Sequence, residues 1–296
     1  MDEILFNLEK KLREAILKAR LKLGISENVF LEAINNNDTF SSEVTALFLE
    51  HLIKISSEKN EVPSSYDYGI YETFSCTWRN LQEIEKEVTS LKHYFPELKK
   101  SDYDNSFVEK IRCGVITMPI GAERWVAVIN KNKLADSYEK SLLRVFESLK
   151  NSRNGAFLNN CVGNLSAHAF KESERTKKSL ELISHQQKNK DILIIPMQFG
   201  LRHRGRSALC AESNMVENEF GLGAMINATL LLTHPLRLSE NEDLRIDCVG
   251  DEMTDYLSPF FLFCNDNYCQ NQLKFGVSPN FIANSRFGAS TGFTVS

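Results

Sequence analysis

The chain has 296 residues, 42% of them hydrophobic and 25% charged, with a formal charge of −4. This composition is ordinary for a soluble globular protein, so disorder is not expected, and it suffices for one large core or two modest ones. The acidic balance argues against broad nucleic-acid binding, which needs a field of lysine and arginine.

The first residues lack the basic start and small-residue cleavage site of a secretory signal, so no export signal is expected. From Ile4, the residues Leu5, Leu8, Leu12, Ala15, Ala19 and Leu23 recur at spacings of three and four, which predicts an amphipathic helix ending at Gly24. Val44, Phe48, Leu52 and Ile55 predict a second, with Ser41 or Ser42 as N-cap. Residues 61–69 mix turn formers with aromatics and mark a candidate boundary. Leu81, Ile84, Val88 and Leu91 give a third helix, closed by Pro96. Residues 1–105 thus read as a mainly helical N-terminal region.

The character changes from residue 106. Residues 111–118 and 124–130 are rich in β-formers and flank Pro119 to Ala122, the pattern of a hairpin. Leu142, Val145, Phe146 and Leu149 predict a helix over residues 136–150, broken by residues 151–155. Residues 171–190 are polar with some helical patterning, and residues 192–199 read as a buried strand. Residues 224–232 form an apolar helix, too short to span a bilayer, that contains Asn227 and Thr229; no membrane span is expected. Strands are expected at residues 244–249, 260–264 and 273–277, with a turn at Asp266 and Asn267. The fold class is therefore α+β: a helical N-terminal region packed on a larger mixed domain, residues 106–296, that carries the candidate site.

The densest chemistry lies in residues 200–207, where Arg202, His203, Arg204 and Arg206 follow the expected strand and precede a helix. Guanidinium groups bind phosphate or carboxylate through paired hydrogen bonds, and Gly200 and Gly205 allow a ligand close to the backbone. A strand-to-helix loop could add amide donors from the helix start, with Asn214 and Glu217 as a capping pair. The segment contains neither GxxxxGKS/T nor GxGxxG, so no nucleotide cofactor follows. The plainer alternative pairs these arginines with Glu212, Glu217 or Glu219.

A second candidate is a thiol nucleophile, Cys210, whose pKa nearby arginines would lower. His234 or His203 would be its base and Asp247 the orienting acid. His234 also precedes Pro235, where a histidine capping a helix is the simpler role. Asp247, Asp251 and Glu252 form an acidic turn read as ion-pairing partners, because their spacing does not specify a metal. The seven cysteines, Cys76, Cys113, Cys161, Cys210, Cys248, Cys264 and Cys269, show no CxxC spacing and fit reduced thiols in a cytoplasmic or other reducing compartment; no zinc site is expected.

Three functions follow as expectations. The first is an intracellular protein that recognises a phosphorylated or carboxylated ligand through the arginines. The second is a cysteine-dependent hydrolase or acyl transferase. The third is an assembly or adaptor protein that meets a protein partner through its N-terminal helices.

Overall fold

The computed structural model describes residues 83–161, 170–253, 256–265 and 271–295, all within one compact unit, Ser56–Ser296. The two helices expected before residue 56, the boundary at residues 61–69 and the turn at Asp266 and Asn267 lie outside the described residues.

The third expected helix is present as α1, Ile84–Tyr94, with Val88 and Leu91 buried, and Pro96 opens the short 3-10 turn Pro96–Leu98 that ends it. Helix α2, Asn105–Arg112, begins where the Asp104 carboxylate accepts from Ser106 N at 3.0 Å. The hairpin expected at residues 111–130 does not form. Ile111 and Arg112 belong to α2, and beyond it Val115 and Ile120 are 72% and 95% exposed, so these β-formers have no sheet to pack on. Strand β1, Arg124–Ile129, pairs instead with a strand far along the chain.

Helix α3, Tyr138–Ser152, matches its periodicity: Ser137 caps it, and Leu142, Val145, Phe146 and Leu149 are buried. After the short strands β2, Phe157–Asn159, and β3, Lys171–Glu172, the polar run forms α4, Glu174–Gln186, capped by Ser173. Strand β4, Ile192–Arg204, leads into the one-and-a-half-turn helix α5, Ala208–Ser213. Then come β5, Glu219–Gly221, the helix α6, Ala224–Thr233, and the strands β6, Arg245–Asp247, and β7, Asp251–Glu252. The last strands are β8, Leu257–Cys264, β9, Gln272–Pro279, and β10, Phe287–Phe293.

The main sheet has the order β1-β4-β10-β6-β8-β9-β2, with β5 also on β10, and β3 pairs separately with β7. It is mixed, because β10 with β6 and β2 with β9 run parallel and the other pairs antiparallel. The fold is α+β, with helices packed on a mixed sheet.

Strand β4 explains its own sequence. Alternate side chains leave opposite faces, and here both faces are covered. Ile192 and Ile194 join the core built with α1, α3 and α6, whereas Leu193 and Ile195 join a second core with Ile183 of α4 and Phe220 of β5. A strand buried on both sides reads as an unbroken apolar run. Helix α6 is likewise buried along its whole length, each fully buried leucine contributing roughly 2 kcal/mol. Its one amide is satisfied: Asn227 donates to the Leu222 and Gly223 carbonyls and accepts from Ser290 Oγ at 2.8 Å. Val88, Leu91 and Phe95 share the first core with Leu142 and Ala228, so the described residues on either side of residue 106 pack together. Among the described residues no helix is long and apolar enough to cross a membrane.

Candidate functional site

The arginine segment is a bulged strand end rather than a loop, which corrects the expectation. Arg202, His203 and Arg204 belong to β4, and only residues 205–207 connect to α5. The cause is a close approach of two glycines. Gly200 has φ +112, and a Cβ there would stand 2.9 Å from the Gly288 carbonyl oxygen; a Cβ on Gly288 would stand 2.3 Å from that of Gly200. The register with β10 runs Phe199↔Ser290 and then Arg204↔Gly288, so residues 200–203 stand opposite Ala289 alone. A bulge of this kind re-aims side chains: Leu201 turns outward at 47% exposure and His203 turns inward at 1%.

The inward side chains meet Glu219 of β5. Its carboxylate accepts from His203 Nε2 at 2.8 Å, Arg202 Nε at 3.2 Å, Thr291 Oγ1 at 2.5 Å and Val216 N at 3.3 Å. Burial raises the Glu219 carboxyl, but the hydrogen bonds of His203 and Thr291, together with the positive charge gathered beside it, outweigh that and pull the group to about 2. Arg206 Nη1 donates to His203 Nδ1 at 3.1 Å, and Arg204 Nε donates to the Ser285 carbonyl at 3.1 Å. The plainer alternative therefore holds for Arg202 with Glu219. Glu212 is exposed and, among the described residues, makes no ion pair with the arginine segment.

Cys210 lies on α5, where its amide donates to Ser207 Oγ at 3.2 Å. Its thiol is pushed up by burial, against the weaker pull of Arg206, contrary to the expected lowering. With its first amides taken by Ser207 and by the Asn280 carbonyl, this six-residue helix offers no anion site of its own. His234 is the C-cap residue of α6; its Nε2 stands 3.2 Å from Glu87 Oε1, and its Nδ1 meets Thr233 Oγ1 at 2.9 Å. Glu87, fully buried on α1, also accepts from Arg124 Nη2 at 2.8 Å and Ala127 N at 2.7 Å. The imidazole thus engages α1 and its own helix end.

Asp247 stands in β6 between Ala289 of β10 and Phe260 of β8. Burial pushes its carboxyl up to about 7, and it has no hydrogen-bond partner among the described residues. Asp251 caps α6 through Ala224 N and accepts from the Tyr138 hydroxyl, while Glu252 pairs with Lys171 at 3.0 Å. Among the described residues the acidic turn makes no ion pair with the arginine segment, and no group of three His, Cys, Asp or Glu is arranged to hold a metal ion.

The structure adds two arginines that sequence reasoning passed over. The parallel register of β10 with β6 sets Arg245 beside Phe287, and Arg245 N donates to the Arg286 carbonyl at 2.9 Å. On the other edge of β10, Gly205 N donates to the Phe287 carbonyl at 2.9 Å. Residues 285–287 therefore lie between the Arg204–Arg206 stretch and Arg245. The Arg245 guanidinium stands 5.1 Å from the centroid of the Phe287 ring, which meets Phe260 edge to face. Burial, and then the charge of Arg286, lower the pKa of Arg245. Arg286 Nη2 donates to the Asn241 carbonyl at 2.7 Å, and the Nε atoms of both arginines are buried with no hydrogen-bond partner among the described residues. Among the described residues, Arg206, Arg245 and Arg286 make no ion pair with a carboxylate. Arg245 and Arg286 are visible in the sequence, but 40 residues of chain separate them, and only the strand pairing joins them. Comparison with protein-family models, with curated proteins and with solved structures finds no match to this chain.

Proposed function

We propose that this protein recognises a phosphorylated or carboxylated ligand at the strand-end rim formed by Arg204, Arg206, Arg245 and Arg286, in a reducing intracellular compartment. The observation that carries the reading is the gathering of Arg206, Arg245 and Arg286 around residues 285–287 without an acidic partner among the described residues. Like charges brought together at partial burial disfavour one another, and an anion seated between them reverses the sign of that interaction. Each guanidinium also offers a planar fork of donors matched to phosphate or carboxylate oxygens.

Arg202 and His203 take a supporting role in this reading. Glu219 occupies both, and His203 in turn holds Arg206 at the rim. The compartment reading is supported by Cys113, Cys161, Cys210 and Cys248, which are free thiols.

The test is calorimetry with inorganic pyrophosphate and citrate at constant ionic strength, on the full chain and on the variant Arg245→Gln/Arg286→Gln. Charge-assisted hydrogen bonds of about 1.5–3 kcal/mol each predict a loss of roughly tenfold or more per guanidinium removed. Binding by the wild type that is unchanged in a folded double variant rules the rim out.

A further inference from the structure

A second, separate cavity lies beside α4. Helical spacing brings Lys177, Leu180, Glu181, Ser184 and His185 to one face of α4, a stripe that is ordinarily apolar when it faces a core. Here that stripe stands over a cavity of about 410 Å³, within the range of small-molecule sites. One wall is apolar, formed by Ile129 of β1, Leu193 of β4 and Met225 and Ile226 of α6, and the others carry polar side chains, Glu181 and His185 among them.

The polar end of the cavity carries a carboxylate with one open oxygen. Glu172 of β3 lines it at 9% exposure, and one of its oxygens, Oε2, contacts Lys131 Nζ. Its second oxygen, Oε1, has no hydrogen-bond partner among the described residues. Its cross-strand neighbour Asp251 is already committed to Tyr138 and Ala224 N. Of the other cations lining the space, Lys133 is held by Asp191 at 2.8 Å, and Lys177 lies 4.0 Å from Glu174 at the mouth. Burial raises the Glu172 carboxyl even with Lys131 beside it, so one ammonium does not fully offset the desolvation of this carboxylate. The Tyr138 ring, 6.0 Å from Lys131 Nζ, gives the same end of the cavity an aromatic face that favours a cation.

From this geometry we infer that the cavity binds a primary amine carrying a compact apolar group. The ligand ammonium donates to Glu172 Oε1 beside the Tyr138 ring, and the apolar body lies against Ile129, Leu193, Met225 and Ile226. A neutral donor would satisfy the oxygen without adding to the partial offset that Lys131 gives this buried carboxylate. A carboxylate would meet the Glu172 oxygen as a like charge.

The probes are 2-phenylethylamine, its N-acetyl derivative and 3-phenylpropanoate, titrated into the full chain by calorimetry at neutral pH. The amine is expected to bind at least tenfold more tightly than either analogue. Glu172→Gln is expected to weaken the amine at least tenfold while the far-ultraviolet circular dichroism stays unchanged. Ser184→Trp, at a half-buried position on the rim of the cavity, blocks entry in a background that keeps Glu172, and serves if Glu172→Gln does not fold. The inference is overturned if the wild type does not bind the amine, if the acetylated or carboxylate probe binds equally well, or if both substitutions leave binding intact. Arg245→Gln/Arg286→Gln is expected to leave the amine titration unchanged, so the two sites fail or stand separately.

Discussion

Arg206 donates to Nδ1 of His203 at 3.1 Å, and because a guanidinium has donors only, this bond assigns the imidazole hydrogen to Nε2, 2.8 Å from Glu219. The histidine is thereby locked between a rim arginine and a buried carboxylate. Thr291, which donates to the same carboxylate oxygen, accepts from Gln198 Nε2 at 2.8 Å, and Gln198 Oε1 accepts from Gly200 N at 2.7 Å. The bulge that aims the arginines is thus tied into the same network at its first residue.

Glu219→Gln should lower stability and change its pH dependence. The carboxyl is drawn from 4.5 to about 2 on folding, so its contribution is fully present above pH 4.5 and is lost as the pH falls toward 2. A displacement of that size corresponds to about 3 kcal/mol at neutral pH. Urea unfolding at pH 7 and pH 3 measures it: the gap between wild type and variant should narrow at the lower pH. A gap that is constant with pH would mean that the network does not hold the charge.

Asp247→Asn should act with the opposite sign. Burial raises this carboxyl from 3.8 to about 7, so the folded state favours the protonated form. The stability it contributes is fully present below pH 3.8 and is lost as the pH rises through 7. The amide keeps the shape without the charge, and the variant is expected to match the wild type near pH 4 and to exceed it above pH 7 by up to about 4 kcal/mol. Equal stability of the two proteins across that range would show that Asp247 has a cationic partner in solution.

Cys210 should label slowly. Its half-buried thiol is pushed up by burial, whereas Cys113 is exposed. Iodoacetamide at pH 7.5, followed by peptide mass spectrometry, should modify Cys113 first and Cys210 more slowly than an unstructured cysteine peptide. Faster labelling of Cys210 would return the thiol-hydrolase reading to consideration.

Much of the helical structure is local in origin and was legible in advance. Val88 with Leu91, and Leu142 with Val145, Phe146 and Leu149, declare α1 and α3 by spacing, and Pro96 marks the end of the first. The apolar starts of β4 and α6 are equally plain, as is the concentration of arginine after Phe199. Strand partnership is a different kind of fact. Residues 111–118 have the right composition for a strand beside β1, yet β1 pairs with β4 because burial on both faces of β4 rewards that register more than a short hairpin in water.

The same distinction governs both candidate sites. Sequence identified Arg202, His203, Arg204 and Arg206 as a group, since their proximity follows from the chain itself. Which of them face Glu219 depended on the Gly200–Gly288 contact, and the union of Arg245 with Arg286 depended on β10 running parallel to β6. The amine cavity gathers Lys131, Glu172, Glu181 and Met225 from separate elements. Periodicity encodes what one segment buries; only the packed sheet decides which distant charges are left facing one another without a partner.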